Sequence, residues 1–234
     1  MGAVLNLRAG LLASVLAFAG AYCEPALGAD IGVRVLGPEA SKQAVSAAPG
    51  ARLVEDDGPA DLIWDTNDGS VLTGDGEMAA EGVETPEIAA VVAKWSAARA
   101  IADMAAAHPL AVDMTPEGSH HTFGTRVRFR SGALAYPNIV VFNLAADGGV
   151  HLLYPDEGEP PALPIGSRYE LPLNVSAPAG ADHLFVITAN EPLDGLIVGL
   201  RSATVRDVAA LLATQLEDKA YQIGAGVLYS AKPE

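Results

Sequence analysis

The chain has 234 residues, half of them hydrophobic and only 18% charged, a composition that buries a core and excludes a disordered chain. Its formal net charge of −15 repels nucleic acid and anionic membranes. Its one cysteine, Cys23, lies near the N-terminus, so a chain cleaved after Ala29 has no thiol for a nucleophile, a thiolate metal site or a disulfide.

Residues 1–29 read as a signal peptide. Arg8 supplies a positive start, Ala9 to Ala21 an apolar run too short to span a bilayer, and Ala26-Leu27-Gly28-Ala29 the small residues that a signal peptidase reads. Tyr22 stands where a lipoprotein signal wants a small residue, so lipid anchoring at Cys23 is not expected. The expected location is periplasmic or secreted, without stable membrane insertion after cleavage.

The spacing then predicts an α+β chain in two parts. Residues 30–108 form a small α/β domain. Ile31 to Leu36 is a strand, Glu39 to Ala48 a short helix, and Leu53-Val54 starts another strand. Leu62-Ile63-Trp64 and Ser70 to Thr73 pair across the polar turn Asp65 to Gly69. Thr85 to Ala107 is the clearest helix, with Thr85 as N-cap, Pro86 in the first turn, and Ile88, Val91, Val92, Trp95, Ala98 and Ala102 on one face. Lys94, Arg99 and Asp103 lie off that face.

Residues 109–234 read as a β-sandwich-like domain of unknown function with a C-terminal helical segment. Thr125 to Phe129 alternates as a strand does. The runs Ile139 to Leu144 and Val150 to Tyr154 flank Ala-Asp-Gly-Gly and make a hairpin, because glycine tolerates the positive φ of tight turns. Tyr169 to Val175 is an edge or bulged strand because it contains Pro172, and Leu184 to Ala189 is a buried strand. Pro192 to Leu200 begins a helical region. Thr204 with Asp207 caps a helix carrying Val205, Val208, Leu211, Leu212 and Leu216, and Gly226 to Tyr229 closes the sheet edge.

Several segments of this second half carry a family resemblance. They are Val141-Phe142-Asn143-Leu144-Ala145-Ala146-Asp147-Gly148, His151-Leu152-Leu153-Tyr154-Pro155, Pro172-Leu173, Ala177-Pro178-Ala179-Gly180-Ala181-Asp182-His183, Ile187-Thr188 and Glu191-Pro192-Leu193-Asp194. Together they resemble the uncharacterised domain found C-terminal to caspase-like peptidases in secreted bacterial proteins. Leu62-Ile63-Trp64-Asp65 and the Trp-bearing helix are similar to the segment preceding that domain. The resemblance implies an envelope-associated, non-catalytic accessory role. This chain departs from those proteins in having no peptidase domain.

The candidate site residues are few. A strand's period of two puts Arg126, Arg128 and Arg130 on one face, as a positive stripe for a carboxylate-rich partner or as partners for the chain's own acids. Tyr136 and Tyr154 stand at the hairpin base, where a tyrosine is half-exposed, and His151 lies on the hairpin edge. His120-His121 point to opposite sides of a strand and lack metal-site spacing, while His183 reads as a satisfied structural histidine. Asp65 to Glu77 fails the calcium-loop register, Trp64 and Trp95 read as core, and Gly224 and Gly226 as isolated glycines. No G-x-S-x-G or S-x-x-K motif is present. The expectation is a partner-binding protein with no enzymatic activity, no metal and no cofactor, whose partner is another envelope protein or peptide. An adaptor for a separately encoded caspase-like peptidase and a carboxylate-based hydrolase are the alternatives.

Overall fold

The computed structural model describes residues 30–55 and 58–233, so the signal-peptide reading of 1–29 lies outside the described residues. The architecture is α+β. The first segment runs β1 (Ile31–Leu36), α1 (Glu39–Ala47), β2 (Ala51–Leu53), β3 (Leu62–Asp65), β4 (Ser70–Thr73) and β5 (Met78–Ala80). A 3-10 turn at Thr85–Glu87 leads into α2 (Ile88–Ala107). Its cap differs from expectation. Glu84 and Glu87 form a reciprocal capping box, so the cap lies one residue before Thr85.

The second segment contains β6 (Val112–Thr115), β7 (His120–Thr122), β8 (Arg126–Ser131), β9 (Asn138–Leu144), β10 (Val150–Tyr154), β11 (Glu170–Asn174) and β12 (Gly180–Ala189). It ends with α3 (Asp194–Leu200), α4 (Val208–Leu216) and β13 (Tyr221–Ala231). The last strand is longer than expected and is not an edge, since it pairs with β12 along its length and also with β7. Its glycines interrupt the apolar pattern that would have shown it.

One large sheet carries strands from both segments in the order β10-β9-β12-β5-β4-β3-β1-β2, with β13 on the other side of β12. The joint is narrow: β5 meets β12 only where Ala80 pairs with Gly180. At φ +146 and with a Cβ position 2.9 Å from the Ala79 carbonyl oxygen, position 180 admits only glycine. Helix α2 covers the joint. Ile88, Val91 and Val92 pack on the β1–β3–β4 side, while Ala97, Ala98 and Ile101 pack with Phe142, Phe185 and the helices α3 and α4.

The middle stretches of β9 and β12, Ile139 to Phe142 and Leu184 to Ile187, are apolar without alternation because both their faces are covered. Val140, Phe142, Phe185 and Ile187 face the helices, whereas Ile139, Val141, Leu184 and Val186 face a separate sheet of order β11-β8-β6. That second sheet buries Phe129 completely, with Leu171 and Leu173 partly buried beside it. Burial of Phe129 contributes about 1.5–3 kcal/mol. Pro172 sits on the edge strand β11, where its missing N–H breaks no central ladder.

The two layers approach closely at β13. A Cβ on Gly224 would lie 2.4 Å from Val112 Cγ1 and 3.1 Å from the Leu110 carbonyl oxygen, and one on Gly226 would lie 3.0 Å from the Phe129 ring. These glycines are therefore packing positions and not isolated ones. Replacing Gly224 by valine is expected to cost about 1–3 kcal/mol in urea unfolding. The same change at exposed Ala225 is expected to stay within about 0.5 kcal/mol.

Candidate functional site

The arginine stripe forms as its spacing predicts. On β8 the residues Arg126, Arg128 and Arg130 face outward while Val127 and Phe129 enter the core. Glu170, opposite Arg130 on β11, serves two of them: its carboxylate lies 2.8 Å from Arg130 Nε and 3.6 Å from Arg128 Nε. Arg126 stands opposite Asn174 and makes no ion pair among the described residues. Asp113 is opposite Arg130 on β6 without coming within ion-pair distance. Arg168, two positions before Glu170, is exposed as well. The result is a solvent-facing surface where Arg128 and Arg130 share one carboxylate and Arg126 stands beside them without an ion pair among the described residues.

The remaining expected residues do not join this surface. Tyr154 is buried rather than half-exposed: its ring packs 5.0 Å from that of Tyr169 and its hydroxyl donates to the Pro160 carbonyl at 2.6 Å. Burial raises the pKa of both tyrosines, first through desolvation. Tyr136 is half-buried on the connection between β8 and β9. His151 is exposed on β10, 3.9 Å from Asp147 in the hairpin turn. The histidine pair splits as expected, with His120 stacked on Tyr229 and His121 bonding the Gly118 carbonyl. In the acidic loop, Asp65 accepts from Asn67 and Asp68 from Ser70, and Gly69 and Gly76 take positive φ. No helix among the described residues is long and apolar enough to cross a membrane.

A buried polar group went unseen in the sequence. Lys94, expected to lie off the apolar face of its helix, is 1% exposed. Its ammonium donates to the carbonyls of Ala181 at 2.9 Å and Ala145 at 3.3 Å. Those carbonyls lie where β9 has ended and β5 has not yet begun along β12, so the amine supplies the donors that a strand would have supplied. Burial pushes the Lys94 amine down to about 8, against the pull of Asp182 and Asp147. Burial pushes the Asp182 carboxyl up, opposed by hydrogen bonds from Ala146 and Asn143 and by the charge of Lys94.

His183 is not the satisfied histidine its strand position suggests. It is 9% exposed on the helix side of β12, its Nε2 is buried without a hydrogen-bond partner, and its ring meets that of Trp95 edge-on at 4.9 Å. Burial, reinforced by the charge of Lys94, drives the imidazole down to about 3 and keeps it neutral. Trp64 is core as expected at 1% exposure, but Trp95 is half-buried and lines a cavity with His183. A lone histidine in a strand and an alanine-rich helix carry no pattern that announces such a cavity.

The histidine sets an acid limit. Its proton affinity in the folded chain is depressed from an ordinary pKa of 6.5 to about 3. As pH falls through that window the unfolded chain takes up a proton that the folded chain refuses, so stability is lost. The expected slope is about 1.4 kcal/mol per pH unit. The difference in unfolding free energy between the wild-type chain and a His183→Gln variant, measured by urea titration from pH 7 down to pH 4, should show that slope.

Searches against family models, curated proteins and solved structures returned no match to this chain, so the resemblance to the caspase-associated domain rests on its sequence motifs alone.

Proposed function

We propose that this chain is a non-catalytic accessory module of the cell envelope that binds an acidic segment of another protein on the outer face of β8. The observation that carries the reading is the imbalance on that face. Arg126, Arg128 and Arg130 stand side by side on an exposed sheet with only Glu170 among the described residues within ion-pair distance, in a chain of net charge −15. A chain so acidic has carboxylates to spare, yet among the described residues it sets a single one against this stripe. Arginine favours carboxylates by its planar fork of donors, and a row of three along a strand matches acids spaced along an extended peptide. The signal-like N-terminus and the motif resemblance support an envelope setting and an accessory role.

Each exposed arginine–carboxylate contact is worth roughly 0.2–1 kcal/mol, so no single residue dominates. Binding of a fluorescent acidic peptide, followed by anisotropy, is expected to weaken roughly ten-fold or more when all three arginines become glutamate. Glu170→Gln is expected to tighten it a few-fold by releasing Arg128 and Arg130. Added salt should weaken the wild-type complex. Unchanged affinity in the charge-reversed chain, with its thermal melt intact, would overturn the reading.

A further inference from the structure

Helix α2 does not seat flush on β12 and β13. Between them lies a cavity of about 400 Å³, within the range of sites that hold small molecules. It exists because small side chains face each other there, Ala98 and Ala102 on the helix and Ala225 on the strand. The walls are apolar and aromatic, supplied by Trp95, Phe185, Val227 and Tyr229. Trp95, Val227, Tyr229 and the rim residue Arg99 are half-buried, so the cavity opens to solvent.

Two polar atoms of its lining residues are left over by the fold. His183 Nε2 and Trp95 Nε1 are both buried and both lack a hydrogen-bond partner, and their rings touch. An unpaired buried group of this kind costs roughly 1–3 kcal/mol, and native structures keep few of them. Arg99 adds a guanidinium at the rim. It spends an Nη2 donor on Asp61 at 2.5 Å, and its other N–H groups make no hydrogen bond among the described residues. An indole N–H and a guanidinium can only donate, so a group that satisfies both must accept. The buried ammonium of Lys94 is close enough to His183 to add to the lowering of its proton affinity by burial. Burial raises the Tyr229 hydroxyl's pKa, and Glu77 and Asp75 add to the effect.

We propose that this cavity binds a small aromatic monocarboxylic acid. The carboxylate accepts from Trp95 Nε1, from the Nε2–H tautomer of His183 and from Arg99. The aromatic body lies against Phe185, Val227 and Tyr229. Such a ligand pairs the two orphaned nitrogens with one group. The site goes beyond the partner-binding reading and shares no residue with the arginine face.

The test uses 1-naphthylacetate and its neutral counterpart 1-naphthylacetamide, titrated into the purified chain by calorimetry and by tryptophan fluorescence. The acid is expected to saturate one site and to bind at least about ten-fold tighter than the amide. His183→Phe, and separately Ala102→Trp at the exposed mouth, should each weaken the acid about ten-fold or more with the circular-dichroism melt retained. The combined substitution Arg126→Glu, Arg128→Glu and Arg130→Glu should leave its affinity unchanged. No saturable binding tighter than about 1 mM, equal affinity for acid and amide, or binding that survives Ala102→Trp would each overturn the proposal.

Discussion

A strand has two edges, and β12 must divide one of them between two neighbours. Along Ala189 to His183 that edge belongs to β9, and at Gly180 it belongs to β5. Between them the carbonyl of Ala181 has no strand to face, and an unpaired buried backbone group is a cost that few folds carry. Lys94 meets this constraint by placing an ammonium in the gap. The lysine loses hydration and part of its proton affinity, but its donors tie helix α2 to the end of β9 and to β12. Gly180 completes the joint by letting Ala79 and Ala80 approach where a Cβ would collide. The large sheet, and the helix that lies over both of its parts, depend on this joint.

The same joint explains the local electrostatics. Burial holds the neighbouring His183 neutral, reinforced by the fixed charge of Lys94, and the Asp182 carboxyl experiences both burial and a nearby cation. Helix α2 must carry Lys94 down to the sheet while offering alanines further along, and that combination leaves the hollow beside Trp95. The arginine face is set apart from all of this. It lies on the outside of the smaller sheet, beyond the layer where Phe129 and the β9 and β12 side chains meet.

Local patterns were legible where one periodicity ruled. The hairpin of β9 and β10, the helix after Pro86 and the alternation of Arg126 to Arg130 all follow from side-chain spacing and turn chemistry, and the structure has them in place. The pattern failed where a partner elsewhere in the chain set the rules. β13 was hidden by Gly224 and Gly226, which are required by Val112 and Phe129 across the sandwich and not by any turn. Tyr154 has the sequence neighbours of an exposed aromatic, yet the loop that follows it folds back to give its hydroxyl the Pro160 carbonyl. Short β5, β6 and β7 lacked the length for any period to show.

The amino-acid sequence by itself determined the α+β class, most strand and helix positions, the acidic balance and the outward row of three arginines. Each of these depends on composition or on neighbours within a few residues. Only the tertiary structure decided that Lys94 is buried, that His183 and Trp95 share a wall with unpaired nitrogens, and that Glu170 is the carboxylate Arg128 and Arg130 share. Those facts depend on residues between about 40 and 90 positions apart in the chain, and no local spacing encodes which of them will meet.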